Sequence, residues 1–244
     1  MKLRNARFII YLIIDVVSSV FSLDSLKIFL KDQRGALVLP SEGVGIDDKD
    51  WIKYKSLKCN EYIEPITLKD LPNNFSEDAC RLVDEFRRKT VDEKVEWMIY
   101  FDYQTGEVIY CWEGEEGRCL GDMEVTNFMG RNVASIHSHS RNYYSFPSPE
   151  NFDILENKFE DYEIVTSVNA IWTVEFKGEV SRSIREDFQK NLSDKIRDIT
   201  LTSITDGTDN IGNLIENNVS NYILDELNTI ICGIELSIIK KEYD

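Results

Sequence analysis

The stretch from Asn132 to Asp153 reads NVASIHSHSRNYYSFPSPENFD, and it contains both histidines of the 244-residue chain. The apolar residues just before the histidines predict a short buried strand bounded by polar turns. Because side chains in a strand repeat every two residues, His137 and His139 point to the same face. Two imidazoles that converge at a strand end suit a transition-metal ion, with zinc expected. The alternative is one histidine in the core and one in solvent.

A helix start follows the histidines. Pro147 and Ser148 precede Pro149 and Glu150. This order predicts Ser148 as the N-cap, proline at the first helical position, and a glutamate near the positive end of the helix dipole. Asn151 comes three residues after the cap, so we expect it on the same side as the Ser148 hydroxyl.

Together these residues resemble the signature of the JAMM (JAB/MPN) metallopeptidases, Glu … His-x-His-x7-Ser-x-x-Asp. His137 and His139 match the histidines, and Ser148 matches the serine. Residues 140 to 147 separate His139 from Ser148, one more than in the pattern, and a loop can absorb that insertion. Asn151 stands where the family has its aspartate ligand. The resemblance extends from Glu93 to Lys177.

The family also places a glutamate at the edge of an earlier strand. Glu96 fits this position, because it begins a predicted strand that ends at Asp102. A turn at Gln104–Gly106 and a second strand from Glu107 to Trp112 complete a predicted hairpin. Glu93 is a near neighbour and remains the alternative to Glu96.

The resemblance implies hydrolysis of an amide, commonly the isopeptide bond that joins a ubiquitin-like protein to a lysine. His137, His139 and Asn151 would hold Zn²⁺. Glu96 would take a proton from the attacking water and give it to the leaving amine. The Ser148 hydroxyl would donate a hydrogen bond to the oxyanion.

The functional hypotheses differ in the role that they give to Asn151. Its side-chain oxygen can approach zinc but brings no negative charge. Helical geometry turns Glu150 and Asp153 away from the face of Asn151, so neither replaces it. Three hypotheses remain: a zinc-dependent isopeptidase or peptidase with an unusual third ligand, a catalytically silent binding or scaffold module, and a metal-bearing relative with another hydrolytic or a DNA-repair role.

The net charge and the cysteine content limit the classes of binding partner and the cellular compartment that we expect. The formal net charge is 28 − 44 = −16, with a pI near 4.6. Such an acidic chain disfavours nucleic acid and anionic membranes. The charge would suit a basic protein substrate, but the favoured interpretation is simply an acidic, soluble protein. Five cysteines without a CxxC pair favour a reducing compartment. We therefore expect a cytoplasmic protein.

The N-terminal apolar run is too short to span a bilayer. Residues 8 to 14 follow three basic residues, as at the start of a signal peptide, but Asp15 ends the run after seven residues. We expect a core strand or helix there.

The order of predicted elements indicates an α/β fold, a mixed β-sheet flanked by helices, like the deaminase-like fold of JAMM domains. We expect an N-terminal extension over residues 1–75, a JAMM-like domain over 76–180 and a C-terminal helical region over 181–244. We expect the C-terminal helices to pack on the rest of the fold, with a cap on the catalytic domain or a self-association surface as the alternatives. The predicted helices are 76–89, 122–128, 148–159, 182–199 and 211–240, the later strands are 162–167 and 170–176, and residues 41–70 are expected to hold loops and short strands.

Overall fold

The computed structural model describes residues 48–115, 125–139, 144–148, 159–177, 182–205, 211–225, 227 and 235–243. Its helices are α1 (Asp48–Ser56), α2 (Glu77–Thr90), α3 (Arg182–Thr205) and α4 (Ile211–Asp225). Its strands are β1 (Trp97–Asp102), β2 (Val108–Glu113), β3 (Val133–Ser138), β4 (Glu160–Thr166), β5 (Ala170–Lys177) and β6 (Glu235–Glu242). Short 3-10 turns occur at Leu68–Asp70 and Val125–Phe128.

The described strands form one mixed sheet in the order β2-β1-β3-β4-β5-β6. The β3–β4 pair is parallel, and the other neighbouring pairs are antiparallel. The predicted α/β class with a mixed sheet is confirmed. The histidine-bearing strand β3 lies inside the sheet, between β1 and β4.

Helix α2 covers one face of the sheet. The side chain of Ser76 accepts a hydrogen bond from the Ala79 N–H, an N-cap worth about 0.5–2 kcal/mol. Apolar residues at helical spacing then form a buried stripe against the strands. The core on this face includes Leu82, Val83 and Phe86 of α2 and Ile99, Phe101, Ala134, Ile136 and Ile164 of the strands.

Two groups of side chains cover the opposite face. Helices α3 and α4 pack over β4 and β5, where Phe188, Leu192, Ile215 and Val219 meet Val165, Trp172 and Val174. Over β1 and β2 a smaller cluster forms around Tyr100, Tyr110, Phe128 and Val133. Strand β3 runs between these two clusters, so the middle of this face is shielded from water on both sides.

Residues 48–75 belong to the main core. Tyr54 of α1, Ile66 and Phe75 are buried in the same cluster as α2. The buried Arg87 guanidinium donates to the carbonyls of Glu64, Ser167 and Val168, which ties this segment to the β4–β5 turn. The loops expected within 41–70 occur at 57–67, but the short strands do not occur over 48–70, where α1 and a 3-10 turn are found.

The helix predicted to run to Lys240 is also wrong at its end. α4 ends at Asp225, and Glu235–Glu242 is strand β6, paired with β5 along its whole length. Ile238 is buried and Ile239 exposed, the alternation of a strand. Part of the region expected to be helical, residues 235–242, therefore belongs to the sheet.

Most of the other predicted elements are present in the structure, and two predicted segments lie outside the described residues. The hairpin β1–β2, strands β3 to β5 and helices α2 and α3 are confirmed, with α3 extending to Thr205. The described part of the predicted 122–128 helix, residues 125–128, is a 3-10 turn. The N-terminal apolar run and residues 149–158 lie outside the described residues. No helix within the described ranges is long and apolar enough to cross a membrane.

Candidate metal centre at the end of β3

The backbone that carries the two histidines is held from both sides. From β4, the Thr166 carbonyl accepts a hydrogen bond from the His139 N–H at 2.7 Å. The Thr166 hydroxyl donates a hydrogen bond to the His137 carbonyl at 3.2 Å. From β1, the Trp97 N–H donates to the Ser138 hydroxyl at 3.0 Å. The histidines therefore lie at the carboxyl end of a strand that is paired in parallel with β4, the end of such strands where ligands bind in open α/β sheets.

Both imidazoles are buried and close together. His137 is 4% exposed and His139 is 7% exposed, so the alternative of one core and one solvated histidine is wrong. Their ring centroids are 5.2 Å apart, with an angle of 51° between the ring planes. Two imidazoles bonded to one tetrahedral zinc ion at Zn–N distances of about 2.0–2.1 Å hold their ring centroids about 5 Å apart. The observed spacing fits a shared ion.

An oxygen atom lies near Nδ1 of each imidazole. His139 Nδ1 lies 2.8 Å from the Tyr144 carbonyl, which can only accept, so the neutral ring carries its proton on Nδ1. His137 Nδ1 lies 3.5 Å from Oε1 of Glu163. In His139 this hydrogen bond leaves Nε2 with the lone pair that could bind a metal. Metal-binding histidines commonly have such an acceptor behind the ring.

Glu163 is a site residue that the sequence analysis missed. It is 5% exposed, and its partner in register is Ser135, which shares a face with His137. A buried carboxylate needs a charged or hydrogen-bonding partner, and the His137 ring supplies one. Glu160 is also buried and accepts a hydrogen bond from the Ser135 hydroxyl. The signal in the sequence was an acidic residue within the apolar strand run.

Glu96 directly precedes β1, the strand that pairs with the histidine-bearing β3. Met98 pairs with His137, so the same antiparallel register extended by two residues brings Glu96 opposite His139. The Glu96 carbonyl still accepts from the Gly114 N–H at 2.8 Å, as in a strand. Glu93, by contrast, continues the turn after α2 through its N–H bond to Thr90. Glu96 therefore lies nearer to the register of the histidines than Glu93 does, and its role as the base stays a prediction.

Burial raises the pKa of Glu96 from 4.5 to about 7. The unfolded chain therefore ionises this carboxyl at lower pH than the native protein does. In metal-free protein, the contribution of Glu96 to the free energy of unfolding should be fully present below about pH 4.5 and lost as the pH rises through about 7. Denaturant unfolding of the wild type and Glu96→Gln from about pH 4 to about pH 8 measures this. The wild type should lose stability relative to Glu96→Gln as the pH rises.

Glu93→Gln is the matched control, because it makes the same chemical change three residues away. It should keep the wild-type dependence of stability on pH. Parallel curves for the wild type and Glu96→Gln would show that the Glu96 carboxyl is not buried as described.

The remaining predicted site residues lie on the segment after the histidines. Ser148 is half-buried and is the last described residue of 144–148. Phe146, two residues earlier, is buried under α3 and α4 and holds this segment against the fold. Asn151 lies outside the described residues, so its role stays a prediction.

The metal centre is incomplete within the described residues. Over those ranges no group of three His, Cys, Asp or Glu side chains is placed to hold a metal ion. His137 and His139 would supply two ligands of the expected zinc site, and a third would have to come from another residue. Position 151 is the expected source.

No protein-family model, curated protein or solved structure matches this chain. The likeness to the JAMM metallopeptidases therefore stands on the residues themselves. These are the paired imidazoles of His137 and His139, Glu96 across the strand register, and Ser148 on the segment that follows.

Proposed function

We propose that this protein is a zinc-dependent metallopeptidase of the JAMM type. Its substrate would be an isopeptide or peptide bond, with a conjugate of a ubiquitin-like protein as the substrate class. The observation that carries the proposal is the pair of buried imidazoles at the end of β3, whose ring centroids are 5.2 Å apart. Glu96 directly precedes β1, and the register of β1 with β3, extended by two residues, would bring it opposite His139.

The protein's own groups would divide the chemistry between them. His137 and His139 would hold zinc through Nε2, while Glu163 and the Tyr144 carbonyl keep the rings oriented. Zinc, when bound, supplies a Lewis acid that lowers the pKa of water and polarises a carbonyl. Glu96 would accept the proton of the attacking water and deliver it to the leaving amine. A pKa near 7 suits a group that performs both transfers near neutral pH.

Ser148 and the overall charge would contribute to substrate recognition. The Ser148 hydroxyl would donate a hydrogen bond to the developing oxyanion, a contact worth about 2.7–4 kcal/mol in other hydrolases. The net charge of −16 favours encounter with a basic protein partner.

Elemental analysis of protein purified without chelator tests the proposal. We expect about one zinc ion per chain in the native protein and loss of that zinc in His139→Ala, because one imidazole is a poor site by itself. Glu93→Gln is the control and should keep its zinc. Native protein without any metal would reject the peptidase assignment.

A catalytically silent scaffold module is the second candidate. It is favoured by the amide at position 151, where the family has a carboxylate ligand. In that case the contacts of His137 with Glu163 and of His139 with Tyr144 would serve only as buried polar contacts. The same elemental analysis separates the two functions.

A further inference from the structure

A carboxylate from α4 holds the segment that follows the histidines. The Ser145 N–H donates to Oε2 of Glu216 at 3.0 Å, and the Ser145 hydroxyl donates to Oε1 of the same carboxylate. Both donors of one residue are thus engaged by one side chain, 71 positions later in the chain. Hydrogen bonds to an ionised carboxylate are stronger than those between neutral groups. The contact is therefore a specific anchor for this segment.

Apolar packing reinforces the same anchor. Phe146 is buried in the cluster formed by α3 and α4, and Ile215, next to Glu216, belongs to that cluster. The Tyr144 ring stacks on Phe146 with centroids 5.1 Å apart and planes at 13°. Residues 144–146 therefore have their positions fixed by α4 through both polar and apolar contacts.

The anchored segment contains the acceptor that orients His139. Ser145 is bonded directly to Tyr144, whose carbonyl accepts the Nδ1–H of His139 at 2.8 Å. We propose that Glu216 is a positioning residue for His139, acting through Ser145 and the Tyr144 carbonyl. It would select the tautomer in which Nε2 carries the lone pair. The consequence for zinc rests on the proposed function, whereas the tautomer does not.

Through Glu216, helix α4 would contribute to the geometry of the candidate site. The connection from His139 to Ser148 is one residue longer than in the JAMM pattern, and Glu216 binds Ser145 within it. Replacing Glu216 should therefore disturb His139 more than His137, whose acceptor is Glu163 of β4.

Nitrogen-15 NMR of the metal-free full-length protein measures the tautomer directly. The chain has only two histidines, so a ring-labelled sample shows two imidazoles, which His137→Gln assigns. We expect His139 in the wild type to be mainly Nδ1-protonated. In Glu216→Ala this preference should be lost for His139 and retained for His137. Zinc affinity, measured by chelator competition, should fall by about tenfold, the lower end of the range for groups that support metal ligands.

Three further variants separate positioning from folding. Glu216→Gln should remain near the wild type, because its amide can accept the Ser145 N–H and donate to the Ser145 hydroxyl. Asp225→Ala removes the same charge from an exposed position on α4 and should leave the tautomer unchanged. Ser145→Ala removes one hydrogen bond without altering the helix, so it should weaken the preference partly. It tests the inference even if Glu216→Ala does not fold.

The outcomes distinguish this inference from the proposed function. A wild-type His139 protonated on Nε2, or an unchanged tautomer in both Glu216→Ala and Ser145→Ala, would overturn the positioning role. If the tautomer changes as expected but no variant, the wild type included, binds zinc, then Glu216 positions His139 and the peptidase assignment fails.

Discussion

Replacing Glu96 with glutamine should lower kcat/KM by about 10²–10⁴-fold while zinc content stays near that of the wild type. Glutamine keeps the length and shape of the side chain but cannot accept the proton of the attacking water. Because the site places Glu96 opposite His139 rather than among the expected ligands, the loss should affect catalysis and not metal binding. Steady-state kinetics on an isopeptide-linked ubiquitin-like conjugate, together with elemental analysis, measures both quantities.

Glu93→Gln provides the matched control for this experiment. Glu93 lies in the turn after α2, where its N–H is bonded to the Thr90 carbonyl, so its replacement should change kcat/KM little. If Glu93→Gln shows the large loss instead, or if Glu96→Gln loses its zinc, then the assignment of the base to Glu96 is wrong.

The parts of the fold that local patterns determine were predictable from the sequence. The Ser76 cap and the apolar spacing behind it specify α2, and both are properties of neighbouring residues. The β1–β2 hairpin follows in the same way from two strand patterns around a turn, in which Gly106 has a φ of +72°. The buried run before the histidines likewise specifies β3.

Strand β6 could not be predicted because its structure depends on a partner far along the chain. Residues 224–238 carry apolar side chains at three- and four-residue steps, which favours a helix. In the folded protein β5 offers an open edge, and pairing satisfies the backbone groups of both strands. A tertiary interaction therefore overrides the local periodicity.

In the candidate site too, some features follow from neighbouring residues and others depend on residues far along the chain. The His-x-His spacing and the alternation of side chains in a strand predict that His137 and His139 share a face. Their supporting groups come from other elements: Glu163 from β4 and Glu216 from α4. Neither lies near the histidines in the sequence, so only the folded structure brings them to the site.

Replacing Asn151 with aspartate should tighten zinc binding by at least about tenfold. Two neutral imidazoles and a neutral amide leave the charge of the dication without an anionic ligand. Glu163 offers partial compensation, because its carboxylate lies 3.5 Å from His137 Nδ1, on the side of the ring away from the Nε2 donor. An aspartate at 151 would add a charged oxygen of the same side-chain length. Changes to groups that only support ligands already alter metal affinity by about 10–100-fold, so a change in a ligand should do at least as much.

Asp153→Asn is the matched control for this prediction, since it removes a charge two residues away. If Ser148 caps a helix, position 153 lies about 200° around the axis from 151 and faces away from the metal, so its replacement should change the affinity little. Competition titration of zinc against a chelator measures both variants and the wild type at one pH. If Asp153→Asn strips the metal while Asn151→Asp has no effect, the helix begins elsewhere and Asp153 is the third ligand. If neither variant changes the affinity, the third ligand lies outside this segment, and the resemblance to the JAMM signature ends at Ser148.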